Sequence, residues 1–467
     1  MRLRSSILLV LAILGGVLTL SQLALAAPAV GAPTAPGTLT QLHGTSGCLV
    51  DRSKPLPGCE SVRALRGPAP FLGSSAVAIS RDGKNVYVAS SSSDAIAIFR
   101  RDARTGKLTQ GSGAAGCVAA KGAGGCAKSR GLNGPNSVTV SPNGKNVYAT
   151  SVISDAVTTF RRNRSTGALT QARGASGCVA NRTTPGCATG RALDGPDVVT
   201  VSPDGDNVYV GAFVGNAVAV FDRDSSGALS QPSDTTGCIV DTPADGCATG
   251  LALVAPEGMA ISADGNNVYV ATAVSNAVGV LTRNPTTGAL TQATDGTGCI
   301  VDSPIAGCTT GTQLAGANAV AVSPGDDNVY VTSLASNSLT TFDRTASTGQ
   351  LTQQTGTSAC VIYVFAVGCS LGRALSAPEG LAVSSDGASV YAAAFKSGAV
   401  DVFNRSATGG LIQKAGRAGC VTTNAARDCT PGRALREVSS VAVSPDGRHL
   451  YSAAFASNAV GVFKRAR

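Results

Sequence analysis

Apolar and polar positions along this chain repeat with two nested periods. The short one is that of strands. Segments such as Val138-Thr139-Val140-Ser141 and Ala156-Val157-Thr158-Thr159-Phe160 alternate or run apolar over a few residues and then stop, a pattern of half-buried strands rather than helices. Turns of the Asn-Gly or Asp-Gly type, as in Pro142-Asn143-Gly144, separate them and supply the positive φ that tight hairpins require. The long period is 60 or 61 residues, marked by Tyr87, Tyr148, Tyr209, Tyr269, Tyr330, Tyr391 and Tyr451. Seven copies of one unit are therefore present, spelled most fully from Ser202 to Arg223.

Each unit predicts four strands. In the second copy they are the apolar strand at 138–141, then Asn146 to Thr150, then Ala156 to Phe160, then Gly167 to Gln171. Four short strands cannot bury both faces alone, but units stacked around an axis can. The predicted fold class is all-β, a seven-bladed β-propeller with four-stranded antiparallel blades. The last copy stops after its third strand, at Arg465, while Gly37-Thr38-Leu39-Thr40-Gln41 matches Gly167 to Gln171. The N-terminal strand is thus expected to close the last blade and cover its edge.

The Ser-Pro-Asp-Gly-x-Asn-Val-Tyr-Val pattern followed by Asn-Ala-Val-x-Val-Phe, as in Ser202 to Phe221 and Ser444 to Phe463, resembles the YVTN and lactonase-like seven-bladed propellers. The resemblance covers residues 37–467. It implies the same propeller, and an activity like that of the 6-phosphogluconolactonase-like and carboxymuconate-cyclising members. Their chemistry implies His, Arg and Glu side chains at the channel mouth. This chain has two histidines: His43 opens the first long loop, and His449 lies on the opposite side of its blade.

Residues 1–26 read as a signal peptide. Arg2 and Arg4 precede an apolar run from Ile7 to Leu20, and Ala24-Leu25-Ala26 offers a small-residue cleavage site. The run is short for a membrane span, and no later segment is apolar enough to form one, so the mature chain is expected to have no transmembrane segment. An Ala/Pro-rich linker at 27–36 leads into the propeller, 37–467. The fourteen cysteines form one pair per repeat: Cys48-Cys59, Cys117-Cys126, Cys178-Cys187, Cys238-Cys247, Cys299-Cys308, Cys360-Cys369 and Cys420-Cys429. Even, regular pairs after a signal peptide predict disulfides within each loop and a secreted or extracytoplasmic location, at the cell surface or in a periplasm. Zinc binding would call for closer pairs or histidine partners, so no metal is assigned to them. The net charge of +9 is diffuse, with neither a basic helix nor an aromatic stacking platform, and nucleic acid is not an expected partner.

Three sets of residues carry the candidate chemistry. Ser75, Asn136, Asp197, Glu257, Asn318, Glu379 and Ser439 stand where each innermost strand begins. As a convergent ring at a solvated channel mouth they would bind a sugar or lactone, or a cation through oxygen; as strand caps they need no ligand. No other cofactor is expected. A second ring, Arg101, Arg162, Arg223, Arg283, Arg344, Arg405 and Arg465, ends each third strand near the turn acids Asp82, Asp204, Asp264, Asp326, Asp386 and Asp446. Its repetition in every blade suits a structural pairing. The third set breaks the symmetry. Arg63, Arg130, Arg191, Arg373 and Arg433 occupy matching places in the long loops, which Leu251 and Thr312 take in the remaining two. The latter loops carry Asp234, Asp241, Asp245, Glu257, Asp295 and Asp302, so a basic arc facing an acidic sector is expected at the mouth, or else drift among solvated loops.

One loop is apolar throughout, Val361 to Val367 between Cys360 and Cys369. It is either a sticky patch or a segment packed under a neighbour. Gly111 to Gly116 spells a dinucleotide fingerprint but leads into a cysteine loop instead of a helix. No G-x-S-x-G, H-E-x-x-H or C-x-x-C occurs. The residues thus favour a binding or scaffold propeller. Its disulfide-braced loops would engage a protein, an anionic surface polymer or a small sugar or lactone. The alternative is a lactonase-type hydrolase or cyclase, with Glu257, Glu379, Asp197 and the loop arginines at its site.

Overall fold

A computed structural model describes residues 35–68, 75–244, 246–423 and 428–467. Residues 1–26, expected as a signal peptide, all of the expected linker but its last two residues, and Asp245 lie outside them. Seven sheets make up the chain, one per repeat, and they form the expected propeller. In the third blade the strands run outward as Pro196–Val201, Asn207–Ala212 and Ala217–Arg223. Both pairings are antiparallel, with Tyr209 opposite Thr200 on one side and Val220 on the other. Valines, alanines, the tyrosine and Phe221 from this blade pack against its neighbours. The period-two alternation therefore buries both faces, as stacked blades require.

The outer part of each blade differs from the four-stranded expectation. The edge of the third strand is shared by two short segments, Leu229–Ser230 at one end and Cys238–Val240 at the other. A further short strand, Ala248–Thr249, then pairs parallel to the second segment. Each sheet is thus six-stranded and mixed. The physical reason lies in the cysteines. Each disulfide closes a small ring, with Cα atoms 4.7 to 4.9 Å apart, and this sets the two arms of the loop side by side as strands. All seven pairs are joined within their own loops. Disulfides at this density belong to proteins that fold in an oxidising compartment.

Closure is as expected. Leu39–Gln41 pairs antiparallel with the last strand, Leu39 opposite Arg465 and Gln41 opposite Phe463, and Cys48–Asp51 pairs further along the same strand. No helix among the described residues is long and apolar enough to cross a membrane.

Candidate functional site

The disulfide loops, the turns between second and third strands and the starts of the innermost strands share one face of the propeller. Each first strand that bears a candidate axial residue, apart from that of the first blade, begins with a bulge. In the third blade the register slips between Pro196 and Val198, and Asp197 sits in the slip. Bulges turn a side chain out of the regular alternation, and here they bring these residues together. Asn136 donates to Asp197, and Asn318 donates to Glu257. Gly258 and Gly380, which follow the two glutamates, leave room for the next innermost strand: a Cβ on either would collide with backbone at 2.4 to 2.5 Å.

The ring differs from the expected solvated mouth. Asn136, Asp197, Glu257, Asn318, Glu379 and Ser439 are buried, and Ser75 is half-buried. Seven strands converging on one axis leave little open space between their side chains. Both Glu379 oxygens, Asp197 Oδ2 and the Oδ1 atoms of Asn136 and Asn318 find no hydrogen-bond partner. Burial is the main influence on the acids and disfavours their charged forms. It pushes Asp197 up to about 7, against the pull of the Asn136 bond. With repulsion from Asp197 added, Glu257 rises to about 9 and Glu379 to about 8. Among the described residues, no group of three or more His, Cys, Asp or Glu side chains is placed to hold a metal ion. At neutral pH the two glutamates are neutral acids, able to donate a proton or a hydrogen bond, while Asp197 is poised to gain or lose one.

The symmetry-breaking arginines do not line an open mouth. Each is half-buried and donates to backbone carbonyls of the next blade's disulfide loop. Arg63 reaches Gly111 and Gly124, both at 2.8 Å, and Arg130 reaches Ala172 at 2.9 Å and Gly174 at 3.0 Å. Arg191 reaches Pro232 at 2.7 Å, Arg373 reaches Lys414 at 2.6 Å, and Arg433 reaches Gly44 and Gly58 at 3.0 Å. The loops so held carry 3-10 helices at Gly113–Ala115, Gly174–Gly177, Thr235–Gly237, Gly416–Gly419 and Gly44–Gly47. The loops facing Leu251 and Thr312 have none; one of them runs as strand Gly296–Val301 instead. The arginine bonds carbonyls just before these helices or at their first residue, and for Arg63 and Arg433 also in the loop's second arm.

The invariant arginine ring is structural, as expected, and it works between blades. Arg283 Nε donates to the Tyr209 hydroxyl of the preceding blade at 2.8 Å, and its Nη2 to Asp204 at 2.7 Å. Tyr209 in turn donates to Gly288 O at 2.8 Å. The same chain closes the ring, from Arg465 to Tyr391 and from Tyr391 to Gly37 O. Burial would raise Asp264, but hydrogen bonds from Ser262, the Asn266 amide and Arg344 overcome it and hold the carboxyl down at about 2. His449 belongs to this far side. Burial, with the Arg101 charge beside it, pushes its imidazole down to about 4. His43 is exposed.

Sequence reasoning missed a third inter-blade clamp. Gln110 accepts from the Arg63 amide and donates to the Arg63 carbonyl, both at 2.9 Å. Gln41, Gln171, Gln231, Gln292, Gln353 and Gln413 repeat the pattern against their neighbours. Its signal was the glutamine that ends every fourth strand or its equivalent.

The exposed groups of the loop face are mixed, with apolar turn and loop tips beside cations such as Arg182 and acids such as Asp234 and Asp295. Ile153, Val214 and Val274 tip the turns of blades two to four. In the apolar loop, Val361 and Ile362 are buried, while Tyr363, Val364, Phe365 and Val367 are exposed. Beyond it lies a cleft of about 530 Å3 lined by Tyr363, Arg373, Lys396 and Asp428.

The model of the lactonase seven-bladed β-propeller family matches residues 60–181 and 181–301. Among solved structures, the hydrazine synthase of Kuenenia stuttgartiensis aligns with a TM-score of 0.53 at 18% identity, over 85% of this chain and 97% of that one. The periplasmic gluconolactonase of Pseudomonas aeruginosa aligns at 0.51 and 18%, over 80% and 93%. A putative 6-phosphogluconolactonase of Bacteroides uniformis aligns at 0.50 and 18%, over 79% and 88%. Likeness at that identity is likeness of fold. No curated protein matches the chain by sequence. With seven blades, N-terminal closure and a family match across more than half its length, the chain belongs to the lactonase family of seven-bladed β-propellers.

Proposed function

We propose that the protein is an exported binding propeller that engages its partner through the disulfide-braced loop face. One observation carries this reading. The carboxyl and amide groups that a lactonase would present to substrate are buried at the axis, whereas the symmetry-breaking exposed groups lie on the loops. Rigid loops on a closed scaffold suit recognition, since little ordering is left to be done on binding.

Lactone hydrolysis is the second reading. Family membership favours it, as does the split between Asp197 at about 7 and the glutamates at about 8 and 9. Such a split would provide a base and an acid at neutral pH. A screen of glucono- and 6-phosphogluconolactones with the purified chain separates the two. The binding reading expects hydrolysis no faster than in buffer. Turnover that disappears in Glu257→Gln or Glu379→Gln would replace it with the enzyme.

A further inference from the structure

Six of the seven disulfide loops carry at least one charged side chain between their cysteines, and the fifth blade's loop carries none. Its base is pinned by the Cys360–Cys369 disulfide and by the Tyr363 amide donating to Asn337 O at 3.0 Å, beside the turn between second and third strands. From there it presents Val364, Phe365 and Val367 at 63%, 78% and 92% exposure. These side chains form a convex tip. On the same face stand the turn residues Ile153, Val214 and Val274, each more than half exposed.

Cations adjoin the tip. The 530 Å3 cleft beside Tyr363 runs by way of Lys396 into a hollow of about 250 Å3 that also holds Arg436 and Glu437. Arg436 is shared in turn with a cleft of about 490 Å3 containing Lys54, Pro55, Leu56 and Pro57. Lys54, Lys396 and Arg436 are exposed, and their side chains have no partner among the described residues. Asp428 and Glu437 are the acids lining these clefts, so cationic groups outnumber them even with the clamped arginines set aside.

We propose that this face docks on a membrane surface rich in anionic phospholipid. The 363–367 loop enters the interface, and Lys54, Lys396 and Arg436 meet headgroup phosphates. The inference rests on the reading of the loop face as a binding face and names its partner. A soluble polyanion would satisfy the cations but leave the aliphatic tips in water. A peptide partner would need an apolar pocket to anchor in, and here the most exposed apolar groups, Val364, Phe365 and Val367, project from the loop and line none of the three clefts. A planar, soft apolar layer under anionic headgroups fits both features, as for other peripheral proteins that combine apolar insertion with basic contacts.

The test uses the mature, oxidised chain. Co-sedimentation is measured with vesicles of equal parts phosphatidylcholine and phosphatidylglycerol, with phosphatidylcholine alone, and with polygalacturonate as a soluble polyanion. Partition to the mixed vesicles is expected, weakening with salt. V364S/F365S/V367S should lower it about tenfold or more and leave polygalacturonate binding unchanged. K396S/R436S should lower it roughly fivefold per cation at low salt, while R104S/K107S, an equal charge change on the far face, should do little. Because the chain has no tryptophan, Phe365→Trp provides a single reporter whose emission should shift to the blue on insertion. Vesicle partition indifferent to the apolar triple variant, or no blue shift, overturns the membrane assignment. Polygalacturonate binding without vesicle binding overturns it too but leaves a binding face. Binding to neither overturns the membrane assignment and leaves the loop-face reading to the lactone screen.

Discussion

Glu379 is buried with neither oxygen hydrogen-bonded, and burial, reinforced by Asp197, raises its carboxyl from 4.5 to about 8. The folded chain therefore holds a proton that the unfolded chain releases between those values. The resulting stability is complete below the unfolded value and is lost as pH rises through the folded one. Asp197 and Glu257 act in the same direction, up to about 7 and about 9. Removing the titrating group in Glu379→Gln should flatten the fall in melting temperature between about pH 5 and about pH 9 by a few degrees. Parallel melting curves for parent and variant would show that the acid is solvated after all. Tyr209 illustrates the opposite case, a buried group with every partner made. Tyr209→Phe leaves Arg283 Nε and Gly288 O short of a bond and should cost about 1–3 kcal/mol in urea denaturation. Tyr363→Phe on the exposed loop should cost nothing measurable.

Among the elements, the short helices of the disulfide loops depend on a side chain from the preceding blade. Arg433 spans two arms of its target loop, bonding Gly44 O and Gly58 O. Arg433→Leu should leave Gly44–Gly47 poorly held, with faster amide exchange there and a loss of about 1–3 kcal/mol. Unchanged exchange would make the contact incidental. The sequence displayed this arginine set by its broken symmetry but not its purpose. Charge in a loop looks alike whether it faces a ligand or the carbonyls of a neighbour 41 to 61 residues further on or, for Arg433, near the other end of the chain. The edge segments were hidden for a related reason. Cys238–Val240 and Ala248–Thr249 are too short to show a period, and they are strands through pairing with the third strand and with each other.

For the whole molecule, stability rests on closure. Leu39–Gln41 completes the last blade's edge, Gly37 O accepts from Tyr391, and Gln41 clamps Arg433. Starting the chain at His43 removes all three contacts. The melting temperature should then fall by on the order of 10 °C, and the bared edge should promote association. Calorimetry and sedimentation test this together. A truncated chain that melts and sediments like the parent would mean that the seam is dispensable.

The repeat of Tyr, Asp-Gly turn and terminal Arg determined the propeller by itself. Strand alternation and turn chemistry are local, and only a closed ring of seven such units buries both faces of each. The offset between the ends likewise determined the seam, and the regular cysteine spacing determined the disulfides. The fate of the candidate site was decided by tertiary structure alone. Glu257, Glu379 and Asp197 stand at one residue position per repeat, and nothing in that position tells an open mouth from a sealed axis. The width left between seven converging strands decides it, and that depends on bulges and on the contacts permitted by Gly258 and Gly380. The loop arginines were decided in the same way, because the carbonyls that claim them belong to another blade.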